Sequence, residues 1–128
     1  MTLLLDTHTF LWFVLNDANL GATARTLIVD PQDDILLSPA TYWEIAIKIS
    51  IGKYRLPGPF EVFMEQQIAL NDFDVLPITV AHVSVVATLP FHHRDPFDRL
   101  LVAQAMVEQV PILSADRSLD ANPVNRLW

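Results

Sequence analysis

Residues 3–15 read LLLDTHTFLWFVL, and this stretch contains the change of pattern that decides the fold. The apolar run 3–5 ends at Asp6, and a second apolar run at helical spacing covers 10–15. A short apolar run without alternating polarity is typical of a strand that is buried on both faces, whereas the second run predicts a helix. The chain is therefore expected to begin with a buried strand and to continue into a helix.

The same alternation of strands and helices continues along the chain. Further strands are predicted at 35–37, 75–78, 110–113 and, as an edge strand, 124–128; further helices are predicted at 22–29, 39–51, 60–70, 80–89 and 96–109. Two helix starts combine an N-cap residue with proline at the first helical position, Ser38-Pro39 and Asp95-Pro96. The pattern predicts an α/β fold in three layers, with a mainly parallel central sheet flanked by helices.

Length and composition predict one folded domain over residues 1–128. Hydrophobic residues make up 52% of the 128 residues and charged residues 18%, values that exclude a disordered chain. Cysteine is absent, which excludes disulfides, a thiolate nucleophile and cysteine-ligated zinc or iron–sulfur sites. A reducing cytoplasm fits this composition best.

Charge and hydropathy limit the partners. Eight basic and 15 acidic residues give a net charge of −7, the opposite of the broad basic surface of most nucleic-acid binders. A polyanionic substrate would therefore be held by local groups of cations. No apolar run reaches the length of a membrane span, and Asp6 and His8 interrupt the only candidate signal-peptide stretch.

Asp6 and Asp116 each follow the end of a predicted strand. In open parallel α/β sheets, ligands bind outside the carboxyl ends of the strands, where the strand order reverses. Each aspartate could instead be a loop carboxylate that caps the following helix. Both interpretations remain open at this point.

Glu44 lies in a helix that is apolar nearly all the way round. It could form a surface ion pair with Lys48, four residues later. A carboxylate among so many apolar side chains otherwise needs a stronger partner, and a metal ion would serve. Such a helix belongs in a core or a subunit contact, and together with the aromatic run 10–13 it predicts self-association.

Asp95 and Asp98 stand at the start of the helix predicted at 96–109. Asp95 suits the N-cap and Asp98 the third helical position, which alone could explain both residues. Because Asp98 shares a helix stripe with Val102 and Ala105, we predict that Asp98 is an inward-facing ligand. Asp95 is then the cap and a candidate outer ligand.

Convergence of Asp6, Glu44, Asp98 and Asp116 would require compensating cations. At about 5–6 Å and an effective dielectric constant near 20, each like-charge pair costs about 3 kcal/mol, and four carboxylates form six pairs. A site of oxygen ligands without cysteine suits Mg²⁺ or Mn²⁺ rather than zinc. These ions readily take phosphate oxygens, so the predicted chemistry is phosphodiester hydrolysis by a metal-activated water.

The histidines do not form a recognisable zinc motif. His92-His93 has no H-E-x-x-H pattern and no third histidine at ligand spacing. We predict that His92 lies at the surface and that His93 helps to fix the loop before Asp95, whereas His8 and His82 have no evident partners. Esterase and P-loop motifs are also absent.

The complete pattern resembles the PIN domain family, specifically the VapC-type ribonuclease toxins of prokaryotic toxin–antitoxin pairs. The similarity spans almost the whole chain and rests on LLLDTH, SPATYWEIAIK, HHRDPFDRLLVAQA and ILSAD, in that order. It implies a metal-dependent endoribonuclease that forms a homodimer and is inhibited by a small antitoxin protein. Residue by residue, the four acidic positions of the family match Asp6, Glu44, Asp98 and Asp116, and Ser114 matches a supporting hydroxyl.

A few cations could hold the RNA through its phosphates. They lie after the Glu44 helix and around the start of the Asp98 helix: Lys48, Lys53, Arg55, Arg94 and Arg99. Tyr54, between two of them, could stack on a base. Each cation could equally be a solvated surface charge or the partner of a carboxylate.

Two other function classes remain in view. A Mg²⁺-dependent phosphatase or phosphoacceptor domain would also carry an aspartate after the first strand, but Asp6-Thr7-His8 lacks the second aspartate that such phosphatases share. The other is a non-catalytic module whose acidic cleft only binds a partner protein.

Overall fold

The computed structural model describes all 128 residues as an α/β domain. Its strands are β1 (Thr2–Leu5), β2 (Asp34–Leu37), β3 (Asp74–Val75), β4 (Ile112–Leu113) and β5 (Arg126–Leu127). Its helices are α1 (Thr7–Val14), α2 (Ala22–Val29), α3 (Pro39–Ser50), α4 (Phe60–Leu70), α5 (Val80–Thr88) and α6 (Pro96–Glu108), with a short 3₁₀ helix at Arg117–Ala121.

The five strands form one sheet in the order β3-β2-β1-β4-β5, and every neighbouring pair is parallel. The predicted α/β class and the predicted edge strand at the C-terminal end are confirmed. The chain moves outward in one direction from β1 to β2 and β3, and in the other from β1 to β4 and β5. The strand order therefore reverses between β1 and β4, where a crevice for ligands is expected.

The core lies on both faces of the sheet, which explains the continuous apolar run 3–5. Leu3 and Leu5 pack on one face against α1, α3 and α4, with Phe10, Ile45 and Phe63 nearby. Leu4 belongs to a second cluster on the other face, together with side chains of α6. Successive strand residues point to opposite faces, so a sheet covered on both sides requires apolar residues at every position of its central strand.

The boundaries of α1 and β3 differ most from the prediction, each by three residues at one end. Helix α1 begins at Thr7 rather than at residue 10, because Asp6 directly after β1 already serves as its N-cap. Strand β3 covers Asp74–Val75 rather than 75–78. The Leu76 N–H still donates to the Leu37 carbonyl at 2.9 Å, but Pro77 has no N–H with which to continue the ladder.

The aromatic run 10–13 is part of the core, not of an exposed face. Phe10 is fully buried and Leu11 nearly so, while Trp12 and Phe13 pack against the same cluster. The prediction that this run forms a self-association face was wrong, because its side chains are needed to cover the sheet. None of the helices combines the length and the hydrophobicity that crossing a bilayer requires.

Candidate active site

Asp6 and Ser114 meet at the carboxyl ends of β1 and β4. Asp6 Oδ1 accepts the Thr9 N–H at 2.8 Å, which caps α1, and Asp6 Oδ2 accepts a hydrogen bond from the Ser114 hydroxyl. Ser114 Oγ in turn accepts the Asp116 N–H at 3.0 Å. The site therefore begins at the reversal of strand order, and Asp6 is a helix cap as well as a site residue.

Helix α3 brings Glu44 to the same end of the sheet. Ser38 caps α3 directly after β2, and the Thr41 and Thr7 hydroxyls lie 3.2 Å apart, which joins the first turns of α3 and α1. Glu44 is 4% exposed, and its Oε1 has no hydrogen-bond partner. Lys48 Nζ lies 4.0 Å from Glu44 Oε2, so the surface pair considered from sequence is present only at its outer limit.

Burial raises the pKa of Glu44, and the negative charge of Asp95 adds to this effect. The Thr7 hydroxyl, Lys48 and His8 oppose the increase without cancelling it. A buried carboxylate with one unpartnered oxygen and few compensating charges is costly in a protein alone. This oxygen is the feature of the site that a cation would best satisfy.

Helix α6 begins with the predicted cap and carries Asp98 one turn further. Asp95 Oδ1 accepts the N–H groups of Phe97 at 2.9 Å and Asp98 at 3.1 Å. Burial raises the pKa of Asp98 to about 7; the charges of Asp95, Glu44 and Asp6 also raise it, and His93 lowers it. The influence of Asp6 and Glu44 on Asp98 shows that carboxylates from three separate segments act on one another.

His93 bridges two carboxylates in the acidic cleft, the part of the site at the carboxyl ends of β1 and β4. Its Nε2 lies 3.2 Å from Asp98 Oδ2 and 3.2 Å from Asp116 Oδ2, and its Nδ1 accepts the Asp95 N–H at 3.2 Å. Because Nδ1 is occupied as an acceptor, Nε2 carries the ring proton and donates to the carboxylates. In this arrangement His93 Nε2 is a hydrogen-bond donor between Asp98 and Asp116.

The predicted role of His93 in fixing the loop before Asp95 is confirmed, and His92 lies at the surface as expected. The bridge to Asp98 and Asp116 was not predicted from sequence. The available signal was the position of His93 two residues before a cap residue, from which an imidazole can accept the cap's own N–H.

Asp116 lies in the same cleft, three residues after the end of β4. It caps the 3₁₀ helix by accepting the Ser118 N–H at 3.0 Å and the Ser118 hydroxyl at 2.7 Å. Partial burial raises the pKa of Asp116, but hydrogen bonds from Ser118 and His93 outweigh this and leave the pKa below its ordinary value. A cavity of about 350 Å³ in front of these residues is lined by Asp6, His8, Trp12, Ala115 and Asp116.

The donor set fits a hard divalent cation. Carboxylate oxygens of Asp6, Glu44, Asp98 and Asp116 are the ligand type that Mg²⁺ and Mn²⁺ prefer. The ligand atoms of His93, Asp98 and Asp116 lie within 4.8 Å of one another, whereas Asp6 and Glu44 stay outside this tight group. The unpartnered Glu44 oxygen and the raised pKa of Asp98 both indicate that a cation would stabilise this group of carboxylates.

Arg99 does not face the cleft, so its prediction as an RNA contact was wrong. It is 5% exposed, and its guanidinium donates to the Pro90 carbonyl at 3.0 Å and the Leu89 carbonyl at 2.9 Å, with further bonds to two other carbonyls. The guanidinium also lies 4.0 Å from the Phe91 ring centroid. Arg99 thus holds the segment that presents His93.

The other predicted cations are accessible. Lys53, Arg55 and Arg94 are exposed, and Lys48 is half-buried beside Glu44. His8 and His82 each contact a side chain that is distant in the sequence. His8 contacts Tyr54, and His82 is buried in α5 with its Nε2 2.8 Å from Glu108 Oε2, outside the cleft.

Comparisons with known proteins agree with this architecture. The family model described as PIN domain matches residues 3–124. No curated protein sequence matches the chain.

Solved structures share the fold at low sequence identity. A chain of VapBC2 from Rickettsia felis, bound to a DNA fragment from its promoter, aligns with a TM-score of 0.73 and 12% identity, covering 99% of this chain and 98% of its own. FitAcB from Neisseria gonorrhoeae gives 0.68 and 18%, with 98% and 96% coverage. VapBC-1 from nontypeable Haemophilus influenzae gives 0.66 and 14%, with 99% and 97% coverage.

Proposed function

The chain belongs to the PIN domain family, whose members are generally nucleases, and from this premise we propose that it is a divalent-metal-dependent endoribonuclease and the toxin of a toxin–antitoxin pair. The observation that carries the proposal is the group of carboxylates at the reversal of strand order. These carboxylates come from four segments that meet where the parallel strands end: Asp6, Glu44, Asp98 and Asp116. We take residues 1–128 to act as one domain.

These four residues would hold Mg²⁺ or Mn²⁺. The bound ion would supply charge stabilisation for the phosphoryl group and a more acidic water for the attack. Ser114 orients Asp6, and Asp95 supports the backbone from which Asp98 projects. His93 contributes an N–H donor to the same cleft, a group that suits a phosphoryl oxygen.

RNA binding would depend on a small number of cations. Lys53, Arg55 and Arg94 are exposed, and Lys48 is half-buried beside Glu44. Against a net charge of −7, these local cations would form a weak, strongly salt-dependent grip on the phosphates. Arg99 is excluded from this role because its guanidinium is used inside the fold.

The partner proteins follow from the structural relatives. The VapBC and FitAcB relatives are toxin–antitoxin assemblies, which supports a cognate antitoxin for this chain. A homodimer is also part of the proposal, and an RNA substrate would place the activity in the cytoplasm. Apolar residues exposed around β3 and α5, among them Val75, Val80 and Val83, provide a face for the second copy.

Cleavage mapping in a host tests the function. Wild-type protein and an Asp98→Asn variant are expressed separately, and new RNA ends are sequenced. We expect growth arrest with discrete cuts for the wild type and neither for the variant, and purified wild type should lose cleavage in EDTA. Equal cuts from both proteins would contradict the assigned site. Absence of cuts with retained binding of a partner protein would instead support a non-catalytic module.

A further inference from the structure

A second cavity, of about 220 Å³, lies between α1 and the segment that follows α3. Aromatic and basic side chains contribute to its walls: His8, Trp12, Tyr54, Lys53 and Arg55. Pockets for drug-sized ligands measure roughly 300–1,000 Å³, so this volume suits a single small planar group. Asp17 also lines it, but its carboxylate accepts two hydrogen bonds from Asn19 in its own loop.

The aromatic rings of this cavity lie close together and carry polar atoms at their edges. The His8 and Trp12 ring centroids lie 5.7 Å apart at 31°, and the Tyr54 hydroxyl lies 3.4 Å from His8 Nε2. Lys48 Nζ lies 5.8 Å from the centroid of the Tyr54 ring. Stacking surfaces beside hydrogen-bonding edges are the elements with which proteins bind unpaired bases.

The cavity adjoins the acidic cleft. His8 and Trp12 line both spaces, and His8 follows Asp6 by only two residues. Burial raises the pKa of Tyr54, and the charges of Glu44, Asp95 and Asp98 add to the increase, so the hydroxyl lies within electrostatic range of the cleft carboxylates. A strand whose phosphate lies at the carboxylates would have a neighbouring base beside this opening.

We propose that this cavity, lined by His8, Trp12 and Tyr54, is a subsite for one unpaired nucleobase next to the scissile phosphate of the RNA. The inference rests on the proposed nuclease function and adds a determinant of where the RNA is cut. Lys53 and Arg55, exposed at the rim, contact the flanking phosphates. The base is held by stacking and by the His8 and Tyr54 edge.

The test is binding of two short fluorescent single-stranded RNAs in EDTA, one with all bases and one of equal length with abasic ribose throughout. Tyr54→Leu keeps apolar volume and removes the aromatic ring. It should weaken binding of the base-bearing RNA by roughly 5- to 100-fold, as is found for stacking aromatic residues. Binding of the abasic RNA should be unchanged, because its phosphates still meet Lys53 and Arg55.

Tyr42→Leu is the matched control, since Tyr42 is the other tyrosine of the chain and packs against the core outside this cavity. If Tyr54→Leu does not fold, His8→Ala at an exposed position takes its place. Equal affinity of wild type and the cavity variant for base-bearing RNA overturns the subsite, and so does equal loss for both RNAs. An apolar protein side chain as the occupant would give the first of these results.

The subsite and the nuclease can fail separately. If the wild type cleaves RNA but Tyr54→Leu does not weaken RNA binding, the subsite is refuted and the proposed function still stands. Conversely, base-dependent binding that Tyr54→Leu weakens supports the subsite even where added Mn²⁺ gives no cleavage.

Discussion

The Ser114 hydroxyl donates a hydrogen bond to Asp6 Oδ2, joining two residues that are 108 positions apart in the sequence. Both side chains are buried, and they follow the adjacent parallel strands β4 and β1. The same Ser114 oxygen accepts the Asp116 N–H. The Ser114 hydroxyl thus orients the carboxylate of Asp6 and the backbone of Asp116, at the point where the strand order reverses.

Replacement of Ser114 should therefore affect stability and activity together. Ser114→Ala removes a buried hydrogen bond to a carboxylate and should lower the free energy of unfolding by about 1–3 kcal/mol. Urea unfolding measures this loss. Ser50→Ala is the control, because the Ser50 hydroxyl bonds its own helix at an exposed position and its loss should change stability little. An unchanged unfolding free energy for Ser114→Ala would show that this contact is not stabilising.

The raised pKa of Asp98 predicts a pH-dependent stability in the metal-free protein. Its pKa in the folded state is about 7, against an ordinary value of 3.8. Between these values the folded state holds a proton that the unfolded chain has released. The contribution of this group to stability is therefore present below about pH 4 and decreases as the pH rises to about 7.

Asp98→Asn tests this sign. The amide cannot ionise, so the variant should be more stable than the wild type in EDTA at pH 8, and the difference should shrink at pH 4. Thermal unfolding at both pH values gives the measurement, and Asp74→Asn at an exposed site is the control for a general charge effect. Lower stability of Asp98→Asn at pH 8 would contradict the burial argument.

The fold was predictable from sequence because a buried parallel sheet imposes local patterns. The continuous apolar run 3–5 indicates a strand buried on both faces. The cap residue and the following proline indicate the helix starts at Ser38 and Asp95. The strand at Asp74–Val75 was predicted one residue too late at its start and three residues too long at its end, because its extent depends on pairing with β2 rather than on its own sequence.

The candidate site was predictable only in part. Acidic residues after strands are visible in sequence, and the topology explains why they gather. The role of Arg99 was not predictable, because the sequence does not distinguish an arginine at the surface from one whose guanidinium is buried among carbonyl groups. The His93 bridge likewise depends on the approach of Asp98 and Asp116, which are 18 residues apart in the numbering and meet only through the fold.

Arg99 should contribute to stability rather than directly to RNA binding. Arg99→Met removes a buried guanidinium that donates four hydrogen bonds to backbone carbonyl groups, so we expect the free energy of unfolding to fall by roughly 2–4 kcal/mol. Arg99→Lys should not restore it, since one ammonium cannot reproduce the fork of donors. The exposed Arg94→Ala serves as the reverse control, with weaker RNA binding and little change in urea unfolding. Unchanged stability for Arg99→Met together with lower stability for Arg94→Ala would refute these roles.

The unpartnered Glu44 oxygen predicts stabilisation by metal. Mn²⁺ or Mg²⁺ at about 100 times its dissociation constant should raise the free energy of unfolding by about 2.7 kcal/mol. Glu44→Gln should reduce this gain without lowering the stability measured in EDTA, because it removes a buried charge. Thermal melts with and without the ion separate the two effects, and Glu65→Gln at an exposed position of α4 is the control. A melting temperature that does not respond to either ion would remove the proposed metal centre.

Self-association should depend on the exposed face at α5 rather than on the buried run 10–13. Val80 and Val83 are 87% and 52% exposed and neighbour each other on α5, the helix that follows the edge strand β3 in the chain. Two aspartates at these positions place charges in the proposed contact, and the first also suits the start of a helix, so folding should be preserved. Light scattering should show a dimer for the wild type and a monomer for Val80→Asp/Val83→Asp. Leu70→Asp, at an equally exposed apolar position on α4, should remain dimeric. A dimer that survives the double substitution would locate the contact elsewhere.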